Sequence, residues 1–453
     1  MPEDFMTGHR TGQKPQGVFY GWWILAAGTI VWALQSATYY VGISAFFTAL
    51  INEFGWSRTS LSLVISMARL QGGIAAPAVG FLIDRVGPRR LMIVGFTLAG
   101  TGYILLSQAT SIEMFSLIFV LVLSVGVSLG FSASPSAAVA NWFIRRRSLA
   151  FGLMASGIGI GGLIVPIIAW SITTHGWRTT AIGYGILLLV SGIPLSMVMR
   201  HKPEPYGYLP DGDYPSASEN PQNAGRQRSK TGKSAPSGSE VKAETRAIPA
   251  VEPSFTPKQA LATRAFWTYS IMAAVRLSVT SGVGVHGIPA MEHMGFSREI
   301  AALIITVMTI ISIPGRISFG WLADRYEKRY VIGICLVMLT IGVTALAYAT
   351  DLTLVIVFLV FFSPAHGGLV TLDQAVISDY FGRKSFASIS GLFQGITMWG
   401  TMAGPVVAGY VFDVNNSYQF AFQIFAALGL LATALSFLLR RPQPVIAPDI
   451  ATG

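Results

Sequence analysis

Residues 80–90 read GFLIDRVGPRR, and the first six of them return 240 residues later as Gly320-Trp321-Leu322-Ala323-Asp324-Arg325. The loop before them returns at the same offset, Phe54-Gly55-Trp56-Ser57-Arg58 against Met294-Gly295-Phe296-Ser297-Arg298. A third echo, at offset 239, sets Gly152, Gly161 and Pro166 against Gly391, Gly400 and Pro405. Echoes at nearly one spacing imply a duplicated unit. In a membrane-embedded chain such a repeat puts two related bundles around a site near the midplane.

The rest of the chain fits that reading. Of 453 residues, 52% are hydrophobic and only 11% charged, against about 25% charged in ordinary soluble domains. Uncharged runs close to the ~20 residues needed to cross a bilayer predict helices over 22–46, 60–83, 91–108, 113–139, 148–172 and 179–199. Six more are predicted over 265–290, 298–322, 331–349, 354–378, 386–411 and 418–439. The expected fold is therefore an all-α membrane protein, twelve transmembrane helices in two pseudo-symmetric six-helix bundles. The domains are 1–199, a linker over 200–263 and 264–453. Pro, Ser, Gly and charge dominate the linker, without apolar periodicity, so it is expected to be disordered.

The net charge of +10 serves topology, not nucleic acid. With both termini inside, tails and short loops such as 85–90, 145–147 and 440–441 hold fifteen Lys and Arg. The opposite side holds three, Arg58, Arg178 and Arg298. That asymmetry predicts cytoplasmic termini and a cytoplasmic linker in a cell (inner) membrane. The first residues are polar and lack the apolar core of a signal peptide. The single Cys335 leaves no intrachain disulfide to form.

GFLIDRVGPRR resembles the loop motif between helices 2 and 3 of the major facilitator superfamily, and the repeat extends that likeness over nearly all of both halves. PQGVFYGWWI (15–24), FGWSR (54–58), NWFIRRRSLAFG (141–152), HGIP (286–289) and DYFGRKSF (379–386) resemble its monocarboxylate and oxalate/formate porter branch. The resemblance implies transport of small carboxylates, by proton coupling or anion exchange. It also implies that an arginine four residues before the helix 8 glycine contacts the carboxylate; Arg316 stands four before Gly320. Two departures matter. The helix 1 lysine and helix 8 acid of many eukaryotic relatives match Val41 and Ser312 here, and the helix 11 cation of oxalate exchangers matches Trp399.

The residues themselves point the same way. Arg69, Arg276 and Arg316 fall inside predicted helices, where a charge left in lipid costs about 2.5–3.5 kcal/mol. The clearly intramembrane acid with them is Asp373, so positive charge is in excess and an anionic substrate would neutralise it. Arg316 lies about 12 Å inside the Asp324 boundary at 1.5 Å per residue, and its planar fork suits a carboxylate. Arg276 is a second anion contact or the partner of Asp373. Arg69 gates, or snorkels to solvent. Trp399 and Tyr39 complete the expected substrate contacts.

His366 and Asp373, seven residues apart on one helical face, form a candidate proton relay; a structural Asp373–Arg276 pair is the alternative. His286 is a further proton candidate. Asp84, Arg85, Arg89, Asp324 and Arg325 are expected to form charge networks that hold one end shut. Ser124, Ser128, Ser132 and Ser136 make a four-residue stripe, read either as close helix packing or as the wall of a polar cavity. Gly157–Gly162 lies in an apolar helix with no preceding strand, which excludes a dinucleotide loop.

The expected function is secondary transport of small organic monoanions by alternating access. Multidrug efflux is the alternative, weakened because Val165 and not Gly precedes Pro166. A non-transporting sensor of the same shape is the alternative of another class. HExxH is absent from the sequence, and no enzyme activity, cofactor or metal is expected. The expected partners are the anion and membrane lipids around a monomer.

Overall fold

The computed structural model describes residues 18–40, 42–212 and 254–443. Val41 and the centre of the expected linker lie outside them. Among the described residues the chain forms twelve long helical rods. The first, α1, joins Gly21–Gln35, a π-helical turn over Ser36–Tyr40, and Ile43–Phe54. It is followed by α2 (Arg58–Val86), α3 (Pro88–Leu106), α4 (Ile112–Trp142), α5 (Arg147–His175) and α6 (Trp177–Val198). The second half contains α7 (Arg264–His293), α8 (Arg298–Arg325), α9 (Lys328–Ala347), α10 (Leu352–Phe381), α11 (Phe386–Asn415) and α12 (Gln419–Phe437).

Ten of these are long and apolar enough to cross a membrane. The other two are α1, interrupted by its π turn, and α11, whose glycines and hydroxyl residues dilute its hydropathy. Those glycines let backbones meet: a methyl on Gly400 would come within 1.9 Å of the Ala274 carbonyl oxygen, and one on Gly404 within 1.9 Å of that of Ser278. Small residues serve helix contact in this way where lipid supplies no hydrophobic drive.

The repeated loop is explained by its caps. Gly55 and Gly295 take positive φ of 67° and 95°, a backbone region that a Cβ disfavours, and turn the chain out of one helix. Ser57 and Ser297 then cap the next, their hydroxyls accepting from the amides of Ser60 and Ile300. A lost cap of this type costs about 1 kcal/mol.

The expected linker bounds are too wide. Residues 200–212 dock on the first bundle: Asp211 accepts from the amides of Ile144 (3.0 Å) and Arg145 (2.8 Å), and Arg200 lies over the rings of Tyr20 and Tyr206. At the far end a one-turn helix, Pro257–Leu261, carries a capping box from Thr256 and Gln259, and Phe255 donates its amide to Phe381. Polar composition hid these contacts because their partners are remote in sequence.

Candidate functional site

The halves meet through two seams built from the repeats. In one, Gly80 of α2 faces the Ala387 carbonyl and Gly391 of α11 faces that of Ala76; added methyls would approach to 2.1 and 2.2 Å. In the other, Gly152 of α5 faces the Arg316 carbonyl (2.4 Å) and Gly320 of α8 faces that of Ser148 (2.6 Å). One end of each seam is latched by the aspartate of the motif. Asp84 accepts from the amides of Ala387 (3.2 Å) and Ser388 (2.8 Å) and from the Ser388 hydroxyl (2.6 Å). Asp324 accepts from the amides of Ser148 (2.8 Å) and Leu149 (2.9 Å). Both carboxylates therefore cap a helix of the other half, α11 or α5, each of which lacks a side-chain cap of its own. A negative charge at a helix N-terminus is favoured by the helix dipole as well as by the hydrogen bonds.

This corrects the expected charge network. Arg85 and Arg89 are exposed, and among the described residues neither has an ion pair; Arg325 lies over the ring of Trp321 instead. The residue missed by sequence reasoning is Arg147, read there as a topology charge. It is 2% exposed, and it donates to the carbonyls of Phe143, Ala140 and, across the interface, Ser378. Its signal was available: NWFIRRR and DYFGRKS are themselves a repeat, and a motif kept in both halves at the closed end marks a contact between them.

Away from that basic end lies a cavity of about 820 Å³ between the bundles, lined by α1, α2, α4, α7, α10 and α11. Solvent reaches its wall, leaving Tyr40 48% and Val285 50% exposed, so the molecule is closed at the basic end and open at the other. Tyr39 reaches the wall through the π turn of α1 and donates to Ser124 (3.0 Å), which donates to Gln71 (2.7 Å); Gln35 donates to Ser132 (2.7 Å). Single-turn π segments are common where side chains must be re-aimed at a site. Three serines of the α4 stripe, Ser124, Ser128 and Ser132, line the cavity, whereas Ser136 is buried and donates to the Ser132 carbonyl.

Arg69 is exposed on that wall and is its one Lys, Arg, Asp or Glu among the described residues. Arg316 is not on it. Its side chain is 4% exposed and its Nη1 donates to the Ala155 carbonyl of α5 at 2.6 Å, while its Nε has no partner. Arg276 pairs with Asp373 (2.7 Å), whose other oxygen accepts from the Tyr269 hydroxyl (2.9 Å).

The expected relay is thus divided. Asp373 is occupied by α7, while His366 stacks on Phe362 (centroids 5.9 Å apart) and faces the cavity. His286 bridges the Pro405 carbonyl (3.0 Å) and the Tyr418 hydroxyl (3.3 Å), tying α7 to α11 and α12. Trp399 is 63% exposed and off the cavity wall, which removes it from the substrate contacts: the residues of α11 that face inward include Gln394, Thr397, Met398, Thr401 and Met402.

Known proteins agree with this architecture. The chain is 27% identical over 420 residues to mouse (Mus musculus) monocarboxylate transporter 12, covering 89% of this chain and 82% of that one. To rat (Rattus norvegicus) monocarboxylate transporter 4 it is 26% identical over 437 residues, 95% of this chain and 84% of that one. The crystal structure of the human organic anion transporter MFSD10 superposes with a TM-score of 0.67 at 14% identity, over 92% of this chain and 99% of that one; at that identity the likeness concerns the fold. The Major Facilitator Superfamily profile matches residues 25–297 and 270–452, so with two capped six-helix bundles around one cavity this multi-pass membrane protein belongs to the Major Facilitator Superfamily of transporters.

Proposed function

We propose that the protein carries small organic monoanions, monocarboxylates among them, by alternating access. The observation that carries this reading is the charge of the cavity: one guanidinium, that of Arg69, on a wall that mixes apolar side chains with hydroxyls and amides, with no carboxylate among the described lining residues. A cation facing the cavity attracts an anion and repels a cation, and a single positive charge matches a single negative one. The names of the relatives, monocarboxylate transporters, point to the same substrate class.

Turnover requires the basic end to open, and the groups that must part there include the two aspartate caps, the Arg147–Ser378 and Arg383–Asn141 bonds, the Arg147–Asp379 and Arg383–Glu204 ion pairs and the glycine contacts. Exchange of one anion for another fits the site better than proton symport. Both oxygens of Asp373 are engaged, which leaves His366 as the histidine of the cavity wall.

The test is uptake and counterflow of radiolabelled lactate, pyruvate, formate, oxalate and larger carboxylates in proteoliposomes. Counterflow without a pH gradient is expected. Efflux of lipophilic cations without any carboxylate flux would overturn the reading, and uptake that demands a pH gradient and fails in His366→Gln would replace exchange by symport.

A further inference from the structure

Resting on that function, we infer an outer anion station: Arg69 of the first half receives the carboxylate in the open cavity, ahead of the buried Arg316 of the second half, the helix 8 arginine to which the family resemblance already gives a carboxylate contact.

The stagger follows from the repeat. At the offset of 240 that relates Asp84 to Asp324, Arg69 corresponds to Thr309 and Arg316 corresponds to Ala76. Each half has one of these arginines where the other half has a small uncharged residue. Ala76 lies seven residues from Arg69 along α2, about 10 Å at 1.5 Å per residue, so Arg316 sits about that much nearer the basic end. The duplication does not account for this placement, since it would have put the two cations at one level.

Their surroundings differ as well. Arg69 is exposed to the cavity, no acid among the described residues pairs with it, and Tyr39 and Tyr40 lie within electrostatic reach of its guanidinium. An arginine at this depth is tolerated where water or an anion meets it. Arg316 is closed off from the same cavity. None of the described side chains of α5 or α8 lines it, Nη1 is held by the Ala155 carbonyl of the opposite half, and the buried Nε lacks an acceptor. A buried donor left unsatisfied costs about 1–3 kcal/mol. Separation of α5 from α8 removes the Ala155 carbonyl from Nη1 and presents both nitrogens to the cavity, where a carboxylate satisfies the pair at once. In this structure, then, the inner station is held by the protein's own backbone and the outer station stands ready.

The test uses the full-length protein in proteoliposomes, with radiolabelled pyruvate and benzoate as probes and half-saturation measured separately from the cavity face and the basic face. Wild-type counterflow of at least one probe is required by the proposed function; if neither moves, that function fails and the stations with it. Given flux, Arg69→Gln is expected to raise the cavity-face half-saturation by about 5-fold to 30-fold, between the loss of a solvent-exposed ion pair and that of a desolvated one. The basic-face value should stay unchanged, and Arg69→Lys should recover most of the loss. An unchanged cavity-face half-saturation in a monodisperse Arg69→Gln protein overturns the outer station and leaves carboxylate transport standing. A second measurement needs no variant: phenylglyoxal applied at the cavity face should modify Arg69 and spare Arg316, with benzoate or pyruvate protecting Arg69. Modification of Arg316 at an equal rate, or absence of protection, overturns the assignment.

Discussion

The α2–α11 and α5–α8 seams are copies of one contact, yet they close to different lengths. Both have paired glycines and an aspartate cap at the basic end. Beyond the caps they diverge. The α2–α11 seam gives way to the cavity, with Arg69 and Gly72 on one side and Met398, Thr401 and Met402 on the other. The α5–α8 seam stays zipped past the middle, through Gly159 against Ile313 and Arg316 against Ala155. A duplicated sequence therefore supplies a symmetric latch, and later divergence of single side chains decides which seam carries the opening and which conceals the second arginine.

The sharpest way to break this comparison is Arg316→Ala. If the α5–α8 seam conceals a substrate contact, carboxylate affinity measured from the basic face should fall by about 2–5 kcal/mol, roughly 30-fold to several-thousand-fold. Affinity from the cavity face should change little. Equilibrium binding to the folded, monodisperse protein decides it, and an unchanged basic-face constant would make Arg316 a purely structural strut.

Next in size is the glycine pair. Gly152→Leu drives a branched side chain into the Arg316 carbonyl, and Gly391→Leu does the same against Ala76. Overpacking of this kind costs about 1–3 kcal/mol, so either variant should shift the population toward the conformation open at the basic end. Labelling of a cysteine placed at Ser378, in a Cys335→Ser background, measures that shift, and equal effects of the two variants would support a latch that is symmetric at this level.

Smaller still are the caps. Asp84→Asn and Asp324→Asn keep an acceptor but lose the charge at a helix N-terminus, worth about 0.3–1 kcal/mol at exposed termini and up to ~2 where partly buried. The change at Asp84, with three accepted bonds against two at Asp324, should be the larger in the same labelling assay. Trp399→Ala marks the lower bound. Its ring lies away from the cavity, and carboxylate affinity should stay within about 0.5 kcal/mol of wild type, the usual range for changes outside the special sites; a larger loss would return this residue to the site.

Much of this was legible in the sequence, and the limit has a physical shape. Repeats, spans and aspartates could be read because they obey local rules: hydrophobic length, capping geometry, glycine where backbones touch. The Arg276–Asp373 pair was one of the two readings that charge alone allowed, the other being an anion contact and a proton relay. What escaped were facts of rotation about a helix axis. Trp399 and Met398 are neighbours, yet only one of them faces inward, and the few polar residues that mark the inner face of α11, Gln394, Thr397 and Thr401, are set among apolar ones. Arg69 escaped for a related reason. Its depth suited snorkelling equally well, and the choice depended on where the cavity opened. The docked ends of the linker were hidden because Asp211 finds its partners more than sixty residues away.

The character of the latch has a consequence for ionic strength. Asp84 and Asp324 are held by backbone amides and by the ends of helices, sites partly buried between the bundles, and such interactions are screened far less than exposed ion pairs. The contact between Glu204 of the docked segment and Arg383 is of the other kind, an ion pair at 2.8 Å between an exposed Glu204 and a half-buried Arg383, close to the surface class worth about 0–1 kcal/mol and weakened by salt. Raising salt should therefore weaken this tie between the docked segment and the second half, while the backbone bonds of Asp211 and the aspartate caps hold. A carrier closed in this way keeps its gating energy nearly constant between a dilute and a saline medium, and leaves ionic strength to act on the arrival of the anion at the open mouth.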